Sequence, residues 1–453
     1  MTTLHTNRRT WLFMALLLGS ALRVVAAPAA PTAADPYRDA FLAFFPAYEM
    51  ARLRYTAIED TANPRRGQLN GLNHLRRLLD HTARNVTAPN NDTLYSSARL
   101  DLRLGPLLVE TPAIPQRYYS LQFMNFYTDN LAILGRRVGG DGPLKIAVVG
   151  PGWTGPVPAH THLVQADTND LWLLVRTLID GADDIPAVAA LQDGMHITAP
   201  KPAADYPAQR LRPPKDPDPA AFIAVVNEVL QRNPPQGAMA AKAAAAAPLG
   251  IGGKRTWADL PEDVRNGWTT RWAALNTELQ NPANMRHHLL RGWEYPPDDI
   301  GQWSQNDLLR ATIALRGIAA LDPDETLYLS TFVDIDGQPL SGQQRYRLRV
   351  PPGGVPVKGF WSLTMYEVLP DGRFFFTDNP IGRYSIGNRT RGLKVNADGS
   401  TDLLLQADAP ARAEDAANWL PAPRGPFRLT LRAYLPDPAL VRGEAPLPRI
   451  ERQ

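Results

Sequence analysis

The chain has 453 residues and no cysteine. Disulfide cross-links, thiolate nucleophiles, cysteine-ligated metals and a lipid-bearing cysteine are therefore excluded. Net charge is nearly absent as well. Three of the 48 basic residues, Arg8, Arg9 and Arg23, lie within the first 27 positions, where there is no acid. The remainder balances 45 basic against 45 acidic groups, and residues 321–453 alone balance 16 against 16. A polyanion partner needs a net or clustered positive field, so nucleic acid is not expected. No apolar run beyond the leader approaches the roughly 20 residues of a membrane-spanning helix.

What the chain does have begins with its leader. Arg8-Arg9 precedes an apolar stretch from Trp11 to Leu22, and Val-Val-Ala-Ala closes it at 24–27. A positive start, a short apolar run and small residues describe a cleavable signal peptide over 1–27. Arg8-Arg9-Thr10-Trp11-Leu12-Phe13 is similar to a twin-arginine export signal. A periplasmic or secreted protein is expected, with residues 28–36 a Pro/Ala-rich exit.

Residues 28–200 read as a β-rich domain with leading helices. Phe41, Phe44, Phe45, Tyr48 and Leu53 have helical spacing, and a second helix is expected from Leu72 to Leu79. Asn90-Asn91-Asp92 forms a turn before a strand, followed by strand-like runs at 118–123, 131–134, 145–149 and 171–178. Residues 201–320 read as a Pro/Ala-rich helical connector, with helices at 220–232, 258–279 and 305–320. Its Ala238–Ala247 tract suits either a helix or a linker. Residues 321–453 carry short strands between the turn signals Asp336-Gly337, Asp371-Gly372 and Asp398-Gly399, the pattern of an antiparallel sandwich. The expected fold is α+β, mostly β: two sandwich or jelly-roll-like bodies joined by a helical region.

Familiar catalytic signatures are missing. There is no Gly-x-Ser-x-Gly elbow and no His-Glu-x-x-His. The Gly250–Arg255 run lacks the spacing of a phosphate loop. Asp334-Ile-Asp336-Gly337 begins like a calcium loop, but Arg345 stands where the bidentate Glu belongs. His160-x-His162 has no supporting carboxylate, and adjacent His287-His288 diverge on a helix. No metal and no cofactor are expected.

Two clusters mix amide, carboxylate, guanidinium and phenol groups, a mixture suited to a polar or anionic ligand. One is Asn91, Asp92 and Tyr95 with Arg117 and Tyr119; the other is Arg383 with Tyr384. Asp92, Tyr119 and Tyr384 are the weak catalytic candidates. Asp101 alternates with leucines, which points its side chain to solvent. Taken singly, each residue also suits Asx-turns or loop ties, so the site requires the clusters to converge.

At these clusters the chain resembles two bacterial families. Asn91-Asp92-Thr93-Leu94-Tyr95-Ser96, Arg117-Tyr118-Tyr119, Gly150-Pro151-Gly152-Trp153 and Arg176-Thr177 are similar to domain of unknown function 1254. Phe360-Trp361-Ser362-Leu363-Thr364, Asn379-Pro380, Arg383-Tyr384-Ser385 and Asn418-Trp419-Leu420-Pro421 are similar to domain of unknown function 1214. The resemblance implies exported, often oligomeric proteins with β-sandwiches plus helices, and supplies no catalytic residues. Three functions follow as expectations. The first is binding of a small polar or anionic ligand in a cleft between β domains. The second is a hydrolase or lyase of such a molecule. The third is a homo-oligomeric envelope component, since a near-neutral chain repels itself little.

Overall fold

The computed structural model describes residues 35–453 apart from 85, 86, 254, 286, 287, 304 and 371. The expected signal peptide and most of its exit, with Lys254, His287 and Asp371, lie outside the described residues.

The chain is α+β, with more strands than helices. Its first half carries β1 (Asn73–His74), β2 (Thr93–Asp101), β3 (Leu107–Thr111), β4 (Tyr119–Met124), β5 (Asn130–Gly135), β6 (Leu144–Val149), β7 (His162–Gln165), β8 (Asp170–Leu178) and β9 (His196–Thr198). They form one sheet in the order β1-β2-β8-β4-β5 and a second in the order β7-β6-β3-β9. Alternation decides what lies between them. Ala98 and Leu100 of β2, Leu121 and Phe123 of β4, and Leu171, Leu173 and Val175 of β8 meet Val109, Ile146 and Val148 of the second sheet in one apolar core.

The second half repeats this plan with β10 (His288–Leu290), β11 (Trp293–Tyr295), β12 (Thr326–Thr331), β13 (Tyr346–Val350), β14 (Trp361–Val368), β15 (Phe374–Phe375), β16 (Ser385–Gly387), β17 (Thr401–Gln406), β18 (Trp419–Pro421), β19 (Phe427–Tyr434) and β20 (Arg449–Arg452). One sheet runs β10-β11-β12-β19-β14-β15, with β16 also on β14; the other runs β18-β17-β13-β20. Tyr346, Leu348 and Val350 point inward as their alternation predicts, against Leu327, Leu329, Leu363 and Leu431.

Among the described residues, six longer helices complete the fold: α1 (Pro36–Arg54), α2 (Ile185–Asp193), α3 (Pro219–Arg232), α4 (Gly237–Ala246), α5 (Glu262–Gln280) and α6 (Asp307–Arg316). The Asp218 side chain accepts from the Ala221 N–H at 2.7 Å and Pro219 follows it, a well-formed helix start. α1 is buried almost all round from Ala40 to Ala51, as expected of a helix apolar on every side. It packs with α3, α4, α5 and α6 in one core that also takes in Met124, Trp172 and Leu174 from the first sheet. The helical layer therefore covers the face of β2, β8 and β4 opposite the sandwich core. The alanine tract is the helix α4, its Met239, Ala243 and Ala246 buried in that core.

Three local expectations are corrected. Residues 72–79 form no helix: Asn73 and His74 pair as β1 with Ser97 and Ser96. The leucines whose spacing looked helical enter separate cores, Leu72 with the sandwich, Leu78 beside Ile179 and Leu79 beside Phe376, which stretches the chain. His288 lies in a strand, opposite Tyr295. Asp101 is fully buried rather than solvent-facing, because the outer face of β2 is roofed by the helical layer.

Candidate functional site

The outer face of the β12-β19-β14 sheet is polar. Opposite the leucines of β14 and β19 it presents Ser362, Thr364, Tyr366, Arg432 and Tyr434. The turn before β2 docks there. Asp92 accepts from Ser362 Oγ at 2.5 Å, and from Ser385 Oγ and the Tyr434 hydroxyl at 3.4 Å each. Tyr434 accepts in turn from Asn90 Nδ2 at 3.0 Å. Arg432, 3% exposed, donates to Thr364 Oγ1 and the Tyr366 hydroxyl at 2.6 Å each. Burial opposes its charge, but Tyr366 and the Asp92 carboxylate outweigh that and hold its pKa above the ordinary value. Nearby, Tyr118 donates to Glu325 at 2.9 Å, and burial raises the pKa of both groups. This seam joins residues about 270 positions apart through mutually satisfied hydrogen bonds, which is how a buried polar network holds its shape.

Of the residues singled out from the sequence, Asp92 is at this seam, and Tyr95 lies at its border, where it faces Arg176 across the strand pair. Asn91 is adjacent in sequence, its Oδ1 buried without a partner. Arg117, Tyr119 and Arg383 are elsewhere, while Tyr384 reaches the edge of the seam through Phe376, which stacks on Tyr366. Arg117 grips both oxygens of Asp184 at 2.5 and 3.0 Å and donates to the Leu178 carbonyl, tying down the segment after β8. Tyr119 belongs to the sandwich core, its hydroxyl unpaired and its pKa raised by burial. Arg383 donates to the carbonyls of Ala416, Ala417 and Trp419, a loop tie. Tyr384 stacks on Phe376 and meets His81 Nδ1 at 3.1 Å.

A different residue stands out on the roofed face of β2, where Tyr95, Ser97, Arg99 and Asp101 alternate with Ser96, Ala98 and Leu100. At one end of this row the charges are balanced. Asp170 takes Arg232 at 2.8 Å and Arg54 at 3.4 Å; Asp101 takes Arg103; Glu59 takes Arg54 at 3.0 Å. Burial alone would raise the pKa of Asp170, yet Arg54 and Arg232 hold it below the usual carboxylate range. Arg99 has no such partner. It is 5% exposed, and its Nε and Nη1 are buried without an acceptor. Its guanidinium lies 3.9 Å from the centre of the Trp172 ring, a cation–π contact. Burial, reinforced by the like charge of Arg54, pushes its pKa down to about 9, which leaves it protonated at neutral pH.

Arg99 forms part of the wall of a 240 Å³ cavity with Tyr95, Ser97, His74, Leu75, Ala57 and Ile58, while Arg65 and Gln68 are exposed at its rim. Ala57 and Ile58 belong to the π-helical turn Tyr55–Glu59 that follows α1. Such turns recur at functional sites. Ser97 Oγ accepts from Trp172 Nε1 at 2.8 Å, which leaves its own proton to donate inward. His74 Nδ1 is 2.7 Å from Ser96 Oγ, and burial followed by Arg76 lowers the His74 pKa. This is a small concave site with an uncompensated cation buried in its wall and the exposed Arg65 at its rim, equipped to take an anion. Among the described residues no cluster of three or more His, Asp or Glu side chains could hold a metal. Sequence reasoning missed Arg99; the available signal was its shared parity with Tyr95 along a strand whose other parity, with Leu94, Ala98 and Leu100, is largely apolar.

Fold and site together describe paired β-sandwich bodies with a helical layer and a small cationic cavity against one sheet. Residues 69–199 match the family described as protein of unknown function (DUF1254), and residues 325–438 match protein of unknown function (DUF1214). The two matches lie in that order, one in each half of the chain. Among solved structures, the VPA0106 protein of Vibrio parahaemolyticus is 24% identical, with a TM-score of 0.70 over 92% of this chain and 99% of that one. A protein from Burkholderia cenocepacia is 16% identical, with a TM-score of 0.44 over 90% of this chain and 87% of that one. Comparison with curated proteins finds no match. Among the described residues no helix is long and apolar enough to cross a membrane.

Proposed function

We propose that the protein is exported to the bacterial periplasm or envelope and there binds a small anionic solute, with Arg99 as the anchoring cation. One observation carries the binding reading: a buried guanidinium without a carboxylate or any other acceptor, in the wall of a cavity. An ion left unpaired in low dielectric costs several kcal/mol, and a bound anion would offset that cost with charge-assisted hydrogen bonds. The seat lies between the first sheet and the π-helical turn. At the seam between the β halves, Asp92 and Arg432 are already occupied by internal partners.

The export reading rests on Arg8-Arg9 and the apolar run that follows. Cell fractionation after expression of the full chain tests it; retention of the whole product in the cytoplasm would overturn it. Binding is tested by titrating the purified chain with acetate and sulfate at constant ionic strength while following tryptophan fluorescence. Trp172, stacked on Arg99, is the reporter. A saturable change that disappears in Arg99→Met is expected, and absence of saturation with both of these anions and with hexanoate removes the reading.

A further inference from the structure

We infer that the Arg99 cavity is shaped for a short monocarboxylate with an apolar body: the carboxylate on the Arg99 fork, the hydrocarbon against Ala57, Ile58 and Leu75. This rests on the anion-binding reading above and adds to it the class of ligand.

Four features select that class. The accessible wall is mostly apolar although its innermost group is a cation, so a compact, strongly hydrated ion would leave the wall unused and lose its water for little return. Charge inside the cavity favours an anion of one negative unit. Arg54, the cation that acts on Arg99, is already committed to Glu59 and Asp170, which leaves Arg99 as the buried guanidinium to balance the ligand, while Arg65 stays solvated at the rim. Geometry favours a planar group, because a guanidinium offers two parallel donors that match a carboxylate, and Ser97 retains one hydroxyl proton beside them. Size sets the length. At 240 Å³ the cavity is below the roughly 300–1,000 Å³ of sites for drug-sized ligands, so the body is a few carbons long.

The test uses the full chain and a homologous series of acetate, butyrate, hexanoate and octanoate, with sulfate as the inorganic comparison, by calorimetry at fixed ionic strength. Affinity is expected to rise about fourfold per methylene until the cavity is filled, then to level off, with sulfate far weaker than hexanoate. Arg99→Met is expected to abolish binding of every member. Arg99→Lys, which keeps the charge and loses the fork, is expected to weaken all members by a similar factor and provides a second reading should the Met variant not fold. Ala57→Phe, placed on the apolar wall, is expected to weaken hexanoate at least tenfold. Equal affinity along the series, or sulfate as tight as hexanoate, overturns the apolar-body inference while leaving the anion seat in place. No saturable binding by any probe, or binding undiminished in both Arg99 variants, overturns both.

Discussion

Arg99 and Arg432 are both buried guanidiniums on β-sheet faces turned away from their sandwich cores, and they have opposite surroundings. Arg432 finds Thr364, Tyr366 and the Ala88 carbonyl, with Asp92 adding its field. Arg99 finds the face of Trp172 and the repulsion of Arg54. One cation is completed by its own chain and serves the seam between the two halves. The other is incomplete, and what it lacks defines a ligand. Burial of a charge is therefore ambiguous until its partners are counted: satisfied, it points to architecture; unsatisfied beside a cavity, it points to binding.

The strongest challenge to this contrast is Arg432→Met. It strips donors from Thr364 and Tyr366 and leaves Asp92 without its nearby cation, so unfolding free energy should fall by about 3–5 kcal/mol, read from urea midpoints. Asp92→Asn, which weakens the acceptor for Ser362 and Tyr434, should cost about 2–3 kcal/mol in the same assay. Arg99→Met should behave oppositely. Replacing an unpaired buried charge by an apolar chain of similar length should raise stability by about 1 kcal/mol, and a large loss would show that Arg99 is structurally paired after all.

The smallest effect concerns pH. Burial, then Arg76, lowers the folded-state pKa of His74, so the unfolded chain binds that proton more tightly. Stability from this group is present above the unfolded pKa of about 6.5 and is lost as pH falls from there toward the folded value. Urea midpoints at pH 7.5 and 5.5 should therefore differ less in His74→Gln than in the parent. Identical differences would remove His74 from the pH response. A bound carboxylate beside this imidazole would raise its pKa, so ligand binding near pH 6 should take up protons.

Much of the fold was legible because strand alternation is a local property. Tyr346, Leu348 and Val350 alternate with Arg347 and Arg349 and point inward, and the run 171–178 forms a central strand as its apolar character implies. The leucines from Leu72 to Leu79 misled because their spacing carries no information about which core each one enters; three separate cores draw that segment out straight. The site was harder to read. Arg117 and Arg383 looked like ligand clamps, yet Asp184 and three backbone carbonyls consume them. The composition of a cluster cannot reveal whether its hydrogen bonds are already spent.

From the sequence alone follow the absence of thiol chemistry, the charge balance beyond residue 27, the helices of 219–232 and 262–280, the strands at 119–124, 144–149 and 170–178, and the order of the two family domains. Each depends on composition or on patterns within a few residues. Only the tertiary structure decided that Asp101 is buried, that Asp92 is held by Ser362, and that Arg99 is left without an acceptor. Those outcomes depend on which distant groups share a low-dielectric space, and a hydrogen bond or its absence there is set by the whole packing around it.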